Sequence, residues 1–216
     1  MCFSANVSFI TAGGLSIIGL LSMYLAKNRA EHCMAATPFL FAIQQTFEGI
    51  LWLTLPTHPT LAVIPTYFYE FFAFILWPLW IPCAISLYEK EFWRKMVIYA
   101  CVAVGACLAL YFFKVLLVDG VRATILQHHI VYTLGTNFSV PTNLFLNLLY
   151  FIAVVAPFFI SSTKNMWLLG AALCISYVIA QIFYHLFFAS IWCFFAGILS
   201  LLIVYIIYSN HHSQKS

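Results

Sequence analysis

Gln44, Glu48 and Trp52 recur at intervals of four, and Tyr67, Glu70, Phe74 and Trp77 follow a three-four-three spacing, so each set falls on one face of a helix. Asn143, Asn147 and Tyr150 make a third stripe, and Tyr177, Gln181 and His185 a fourth. Carboxylates and imidazole in apolar surroundings serve proton transfer or metal binding. Amide side chains serve hydrogen-bonded recognition. Glu48, Glu70 and His185, with the thiol of Cys2 as a soft partner, are therefore candidate ligands for a divalent metal whose open position would activate water. The chain has no H-E-x-x-H, so the ligand density is low. Cys2 offers another route: removal of Met1 would leave an α-amine beside the thiol, a nucleophile with its own base. The catalytic candidates are thus Cys2, Glu48, Glu70 and His185, and the pocket-lining candidates are Gln44, Trp52, Asn143, Asn147, Gln181 and Trp192. Hydrogen-bond glue between helices is the competing role for Gln44, Asn147 and Gln181.

The elements that must hold these residues follow from composition. Of 216 residues, 64% are apolar and 7% charged, against about 45–50% and about 25% in a soluble domain. With a mean hydropathy of +1.00, a soluble cytosolic enzyme, a secreted disulfide scaffold and a disordered chain are excluded. About 140 apolar residues at ~20 per crossing give about seven spans. Apolar windows run over 7–26, 34–55, 66–88, 96–117, 143–162, 166–185 and 189–208, and backbone in hydrocarbon must bond within its own segment, so these are helices. The expected fold is an all-α integral membrane bundle of seven transmembrane helices over residues 1–208, with a polar cytoplasmic tail over 209–216. No Lys or Arg precedes the first window, the reverse of a cleavable signal peptide, so that span is expected to stay. The seven cysteines include no C-x-x-C, which removes zinc-finger and haem-attachment readings. A formal charge of +3 without a basic cluster argues against nucleic acid and leaves the lipid bilayer, with a small-molecule or lipid ligand, as partner.

Orientation follows from the basic residues. With the N-terminus outside, Lys27, Arg29, Lys90, Arg94, Lys95, Lys164 and Lys215 lie inside and only Lys114 and Arg122 outside, the bias expected for an N-out, C-in chain. This topology puts Glu48, Glu70, Asn143, Asn147, Gln181, His185 and Trp192 in the outer half, with Cys2 beside them. A polar, water-accessible pocket opening outward is the economical arrangement. The longest connection, 119–142, is rich in Thr, Ile, Val and Tyr from Ala123 to Leu134, with turn residues at Leu134–Asn137. It is expected to form a short strand-like hairpin over the outer mouth, between the fourth and fifth helices.

Met1-Cys2-Phe3-Ser4-Ala5, the run Gln44-Gln45-Thr46-Phe47-Glu48-Gly49-Ile50-Leu51-Trp52, Arg122 with His129-Ile130-Val131-Tyr132, and Ser190-Ile191-Trp192-Cys193-Phe194-Phe195-Ala196 together resemble a family of small bacterial multi-pass membrane proteins defined by a domain of unknown function. The resemblance implies a bacterial plasma-membrane location and draws attention to Cys2, Glu48, Trp52 and Trp192. It implies no reaction or cofactor. Two further readings, a non-catalytic sensor and a proton-coupled transporter, rest on the same carboxylates; the enzymatic version is a membrane-embedded hydrolase or transferase.

Overall fold

A computed structural model describes residues 4–126, 129–183 and 188–213, which form a helical bundle carrying one small two-stranded sheet. Helix α1 (Ala5–Leu25) starts at Ser4, whose hydroxyl accepts the Val7 N–H. A short α2 (Arg29–Ala35) starts at Asn28, whose side chain caps it. Asn28 Oδ1 accepts the Glu31 N–H at 3.0 Å, and the Glu31 carboxylate accepts the Lys27 N–H at 2.6 Å. Helix α3 (Thr37–Thr54) then opens with Pro38, which has no N–H to bond back into α2. The apolar window expected over 34–55 is therefore split at Ala36. Phe9 lies against Gly49 and Phe39 against Gly19, so α1 and α3 run antiparallel in close contact.

The next rod joins α4 (Val63–Glu70), a π-helical turn (Phe71–Leu76) and α5 (Trp77–Tyr88). The wide turn has a local cause and a local repair. The Trp77 N–H reaches back five residues to the Phe72 carbonyl, and Pro78, which would serve Ala73 in the same register, has no N–H. Ala73 is left with an open carbonyl, and Tyr150 Oη donates to it at 2.6 Å. Tyr150→Phe should cost about 1–2 kcal/mol, since a buried carbonyl loses its donor. Thermal unfolding in detergent measures this, with Tyr111→Phe as the control on an exposed ring.

Helix α6 (Phe92–Val118) leads into strands β1 (Val121–Leu126) and β2 (His129–Leu134), antiparallel with Val121 opposite Leu134 and Leu126 opposite His129. The expected hairpin is present, but its connection falls at 127–128. The residues expected to turn, Leu134–Asn137, form its base instead. There the Gly135 N–H donates to the Gly120 carbonyl at 2.9 Å, and a Cβ on Gly135 would sit 1.8 Å from the Asp119 carbonyl oxygen. Helices α7 (Val140–Ile160), α8 (Met166–Phe183), α9 (Phe188–Leu199) and α10 (Leu201–Ser213) complete the chain.

Four stretches, Ala5–Leu25, Val63–Tyr88, Phe92–Val118 and Val140–Ile160, are long and apolar enough to cross a membrane. Ile10, Ile17, Leu20, Leu110, Leu117 and Leu144 stand exposed on three of them, as surfaces facing acyl chains do. This is a membrane protein. The last expected window, 189–208, is interrupted at Ser200, where two three-residue hydrogen bonds replace the helical ones.

Candidate functional site

Contacts between α3 and the α4–α5 rod align the two carboxylates. The Trp77 indole N–H donates to Gln44 Oε1 at 2.9 Å, and the Phe47 and Phe68 rings stack at 4.6 Å. Glu70 lies between these two crosslinks and Glu48 one residue beyond the Phe47–Phe68 stack, which places them within about one helical turn of each other in depth. Gln44, Gln45, Glu48 and Glu70 are all 0% exposed. Among the described residues neither Glu70 oxygen, neither amide atom of Gln45, nor the Trp52 indole N–H has a hydrogen-bond partner. The Ser8 hydroxyl, buried on the facing part of α1, has none either. No described Lys or Arg is buried.

The hairpin closes one end of the layer. Ile130 packs with Leu51, Ala62 and Tyr69, with Trp52 against them, while the Tyr69 and Tyr132 rings stack at 4.4 Å. His129 is buried at the start of β2. At the other end Phe41 stacks on Trp77 at 3.9 Å, and Tyr150 meets Trp192 edge to face. Beyond this aromatic floor lies a small open-sided apolar cavity of about 40 Å³, walled by Phe41, Trp77, Ile81, Val154, Phe158, Leu173 and Trp192 among others. The polar layer is thus sealed between the hairpin and the aromatic floor rather than open to water. Tightly buried donors and acceptors without partners can bind a small polar or charged ligand; they cannot activate bulk water while the cover is closed.

The other expected pocket residues are dispersed. Asn143 and Asn147 lie at the start of α7 and bond to each other at 3.1 Å, Asn143 on the exposed surface. Gln181 donates to the Tyr177 hydroxyl at 3.3 Å, and the Trp192 indole N–H donates to Ser176 Oγ at 3.2 Å. Cys2 and His185 lie outside the described residues. Among the described residues no three His, Cys, Asp or Glu side chains come together to hold a metal. Gln45 and His129, not chosen from the sequence, belong to the layer; the doubled amide Gln44-Gln45 within an apolar run was the signal for the first. Glu31 and Glu89, which sequence order places in polar connections, are also buried, at the end of the bundle away from the hairpin.

A family model described as a family of unknown function matches residues 1–216. No curated protein and no solved structure matches the chain.

Proposed function

The chain belongs to that family, DUF6629, and since membership brings no reaction with it, we propose from the geometry that this is a bacterial plasma-membrane protein binding a small cation beneath the hairpin. In this reading α3, α8 and the interrupted α9–α10 join the four long stretches as crossings, giving seven. The N-terminus is outside, seven basic residues lie inside against two outside, and the hairpin faces out. The observation that carries the proposal is Glu70, fully buried with neither oxygen hydrogen-bonded among the described residues. Glu48 lies within about one helical turn of its depth, and no described Lys or Arg is buried. Buried carboxyl groups are kept where a charge or donor meets them; here a ligand supplies it. A closed, fully buried layer favours binding or sensing over hydrolysis.

The test is thermal unfolding of the purified chain with ethylammonium or with Zn²⁺ or Mn²⁺ as alternative cations. A ligand at a hundred times its Kd adds about 2.7 kcal/mol, and Glu70→Gln should abolish that gain. No shift with any cation, or an equal shift in Glu70→Gln, overturns the reading. Orientation is read in whole cells: Asn137→Cys should label from outside and Lys164→Cys only after lysis. The reverse pattern would invert the topology.

A further inference from the structure

We infer that a second copy of this chain docks against the first half of α7, joined to it by reciprocal hydrogen bonds between Asn143 of each copy and Asn147 of the other. Helix α7 has 21 residues, about 32 Å at 1.5 Å per residue, just enough for a hydrocarbon core about 30 Å thick. The two asparagines therefore lie about 5 and 10 Å below its start. Asn143 is exposed and Asn147 half-exposed, beside a stripe in which Val140 is 83%, Leu144 71% and Leu148 54% exposed. Asn147 Nδ2 donates to Asn143 Oδ1 at 3.1 Å. The Asn143 Nδ2 group and the Asn147 Oδ1 atom, one donor and one acceptor, have no partner among the described residues.

Acyl chains can satisfy neither group, and the hydrocarbon core holds no water to do it, so leaving them bare is costly. A second copy meets both needs at once. The bond within the helix holds the two amides side by side at one level. In two parallel copies related by a two-fold axis along the membrane normal, all four amides meet at that level. The Asn143 Nδ2 group of each then donates to the Asn147 Oδ1 atom of the other. The result is a closed ring of four hydrogen bonds, two within the helices and two between them, made by one patch meeting itself. Amides are used between membrane helices in this way. Val140, Leu144 and Leu148, on the stripe beside the asparagines, supply apolar contact across the axis. A phospholipid is the poorer occupant, because its ester and phosphate oxygens accept but do not donate, which leaves the Asn147 Oδ1 atom unmet.

The test is energy transfer between full chains carrying a donor or an acceptor dye at the C-terminus, reconstituted in phosphatidylcholine vesicles at a series of protein-to-lipid ratios. Transfer should rise linearly with the acceptor fraction, as for a pair. Asn143→Leu and Asn147→Leu each remove both bonds between the copies and should raise the ratio at half-association about tenfold. Their melting temperatures should stay near that of the parent chain, because both side chains lie on the surface. Phe145→Ala, about 180° around the helix from the amides and 58% exposed, should leave association unchanged. No transfer in the parent chain, equal transfer in both asparagine variants, or transfer lost only in Phe145→Ala overturns the proposal. A monomeric parent chain whose melting temperature in detergent rises with added phosphatidylcholine, while that of Asn143→Leu does not, puts a lipid on the amide pair and overturns it too.

Discussion

Gly105→Ala should be severely damaging to the helical bundle, costing about 3 kcal/mol or preventing accumulation of folded chain. A Cβ at this position would lie 1.9 Å from the Pro78 carbonyl oxygen and 2.8 Å from its carbon. The obstacle is backbone, so no rotamer change relieves it, and α5 and α6 must separate. Overpacking of a well-filled core costs about 1–3 kcal/mol when side chains can yield; here they cannot. The close approach has its own cause. Pro82, one turn on, has no N–H for the Pro78 carbonyl, and the bare Gly105 Cα can approach that oxygen as a weak donor. Gly13→Ala and Gly14→Ala are the controls, because a Cβ there meets nothing within 4 Å. They should leave stability unchanged or raise it by about 0.5–1 kcal/mol through lost chain entropy. Size-exclusion profiles and melting temperatures of the three variants decide the matter.

Glu89→Ala should cost about 3 kcal/mol, with a dependence on pH that the glycine variant lacks. The Glu89 carboxylate, 2% exposed just beyond the α4–α5 rod, accepts four hydrogen bonds. They come from the N–H groups of Lys90 and Glu91, at 3.0 and 2.9 Å, and from the Ser162 N–H and hydroxyl, at 2.6 and 2.7 Å. It ties the α5–α6 connection to the α7–α8 connection, where Arg94 also donates to the Ile160 carbonyl at 2.8 Å. Hydrogen bonds to charged groups contribute about 1.5–3 kcal/mol each, without adding fully. Burial pushes the Glu89 pKa up, but the donors from Ser162, Glu91 and Lys90 outweigh it and the net shift is downward. A carboxyl group with a depressed folded value stabilises fully above its unfolded value, about 4.3, and loses that contribution as pH falls through the folded value below it. The melting temperature of the parent chain should therefore drop as pH falls below about 4.5, and Glu89→Gln should remove this part of the drop. Parallel curves for the two chains would show that Glu89 carries no such charge-dependent role.

The long apolar runs were legible in the sequence because continuous hydrophobicity needs no tertiary information, and α1, the α4–α5 rod, α6 and α7 follow the expected windows closely. The shared face of Gln44 and Glu48 was legible for a similar reason: four-residue spacing is local. Interruptions were harder to read. The break before Pro38 was missed, since the window over 34–55 was read as continuous, and the π-helical turn depends on partners such as Tyr150, 77 residues from the carbonyl it serves. Glu89 reads as a connection residue for the same reason, since its partner Ser162 is 73 positions away. Asn143 and Asn147 have ideal helical spacing, yet spacing says which residues share a face, not which way that face turns. Here the two amides bond to each other instead of reaching the carboxylates.

The melting temperature of ligand-free Glu70→Leu tests the central claim most directly. A carboxyl group kept for a ligand is a burden on the empty protein, because both its oxygens were desolvated without a partner in return. The leucine variant should therefore melt higher than the parent chain, by about 1–2 kcal/mol in stability, and should no longer respond to ethylammonium. A variant that melts lower, as after truncation of a core residue, would show that Glu70 is structural and would contradict the cation site.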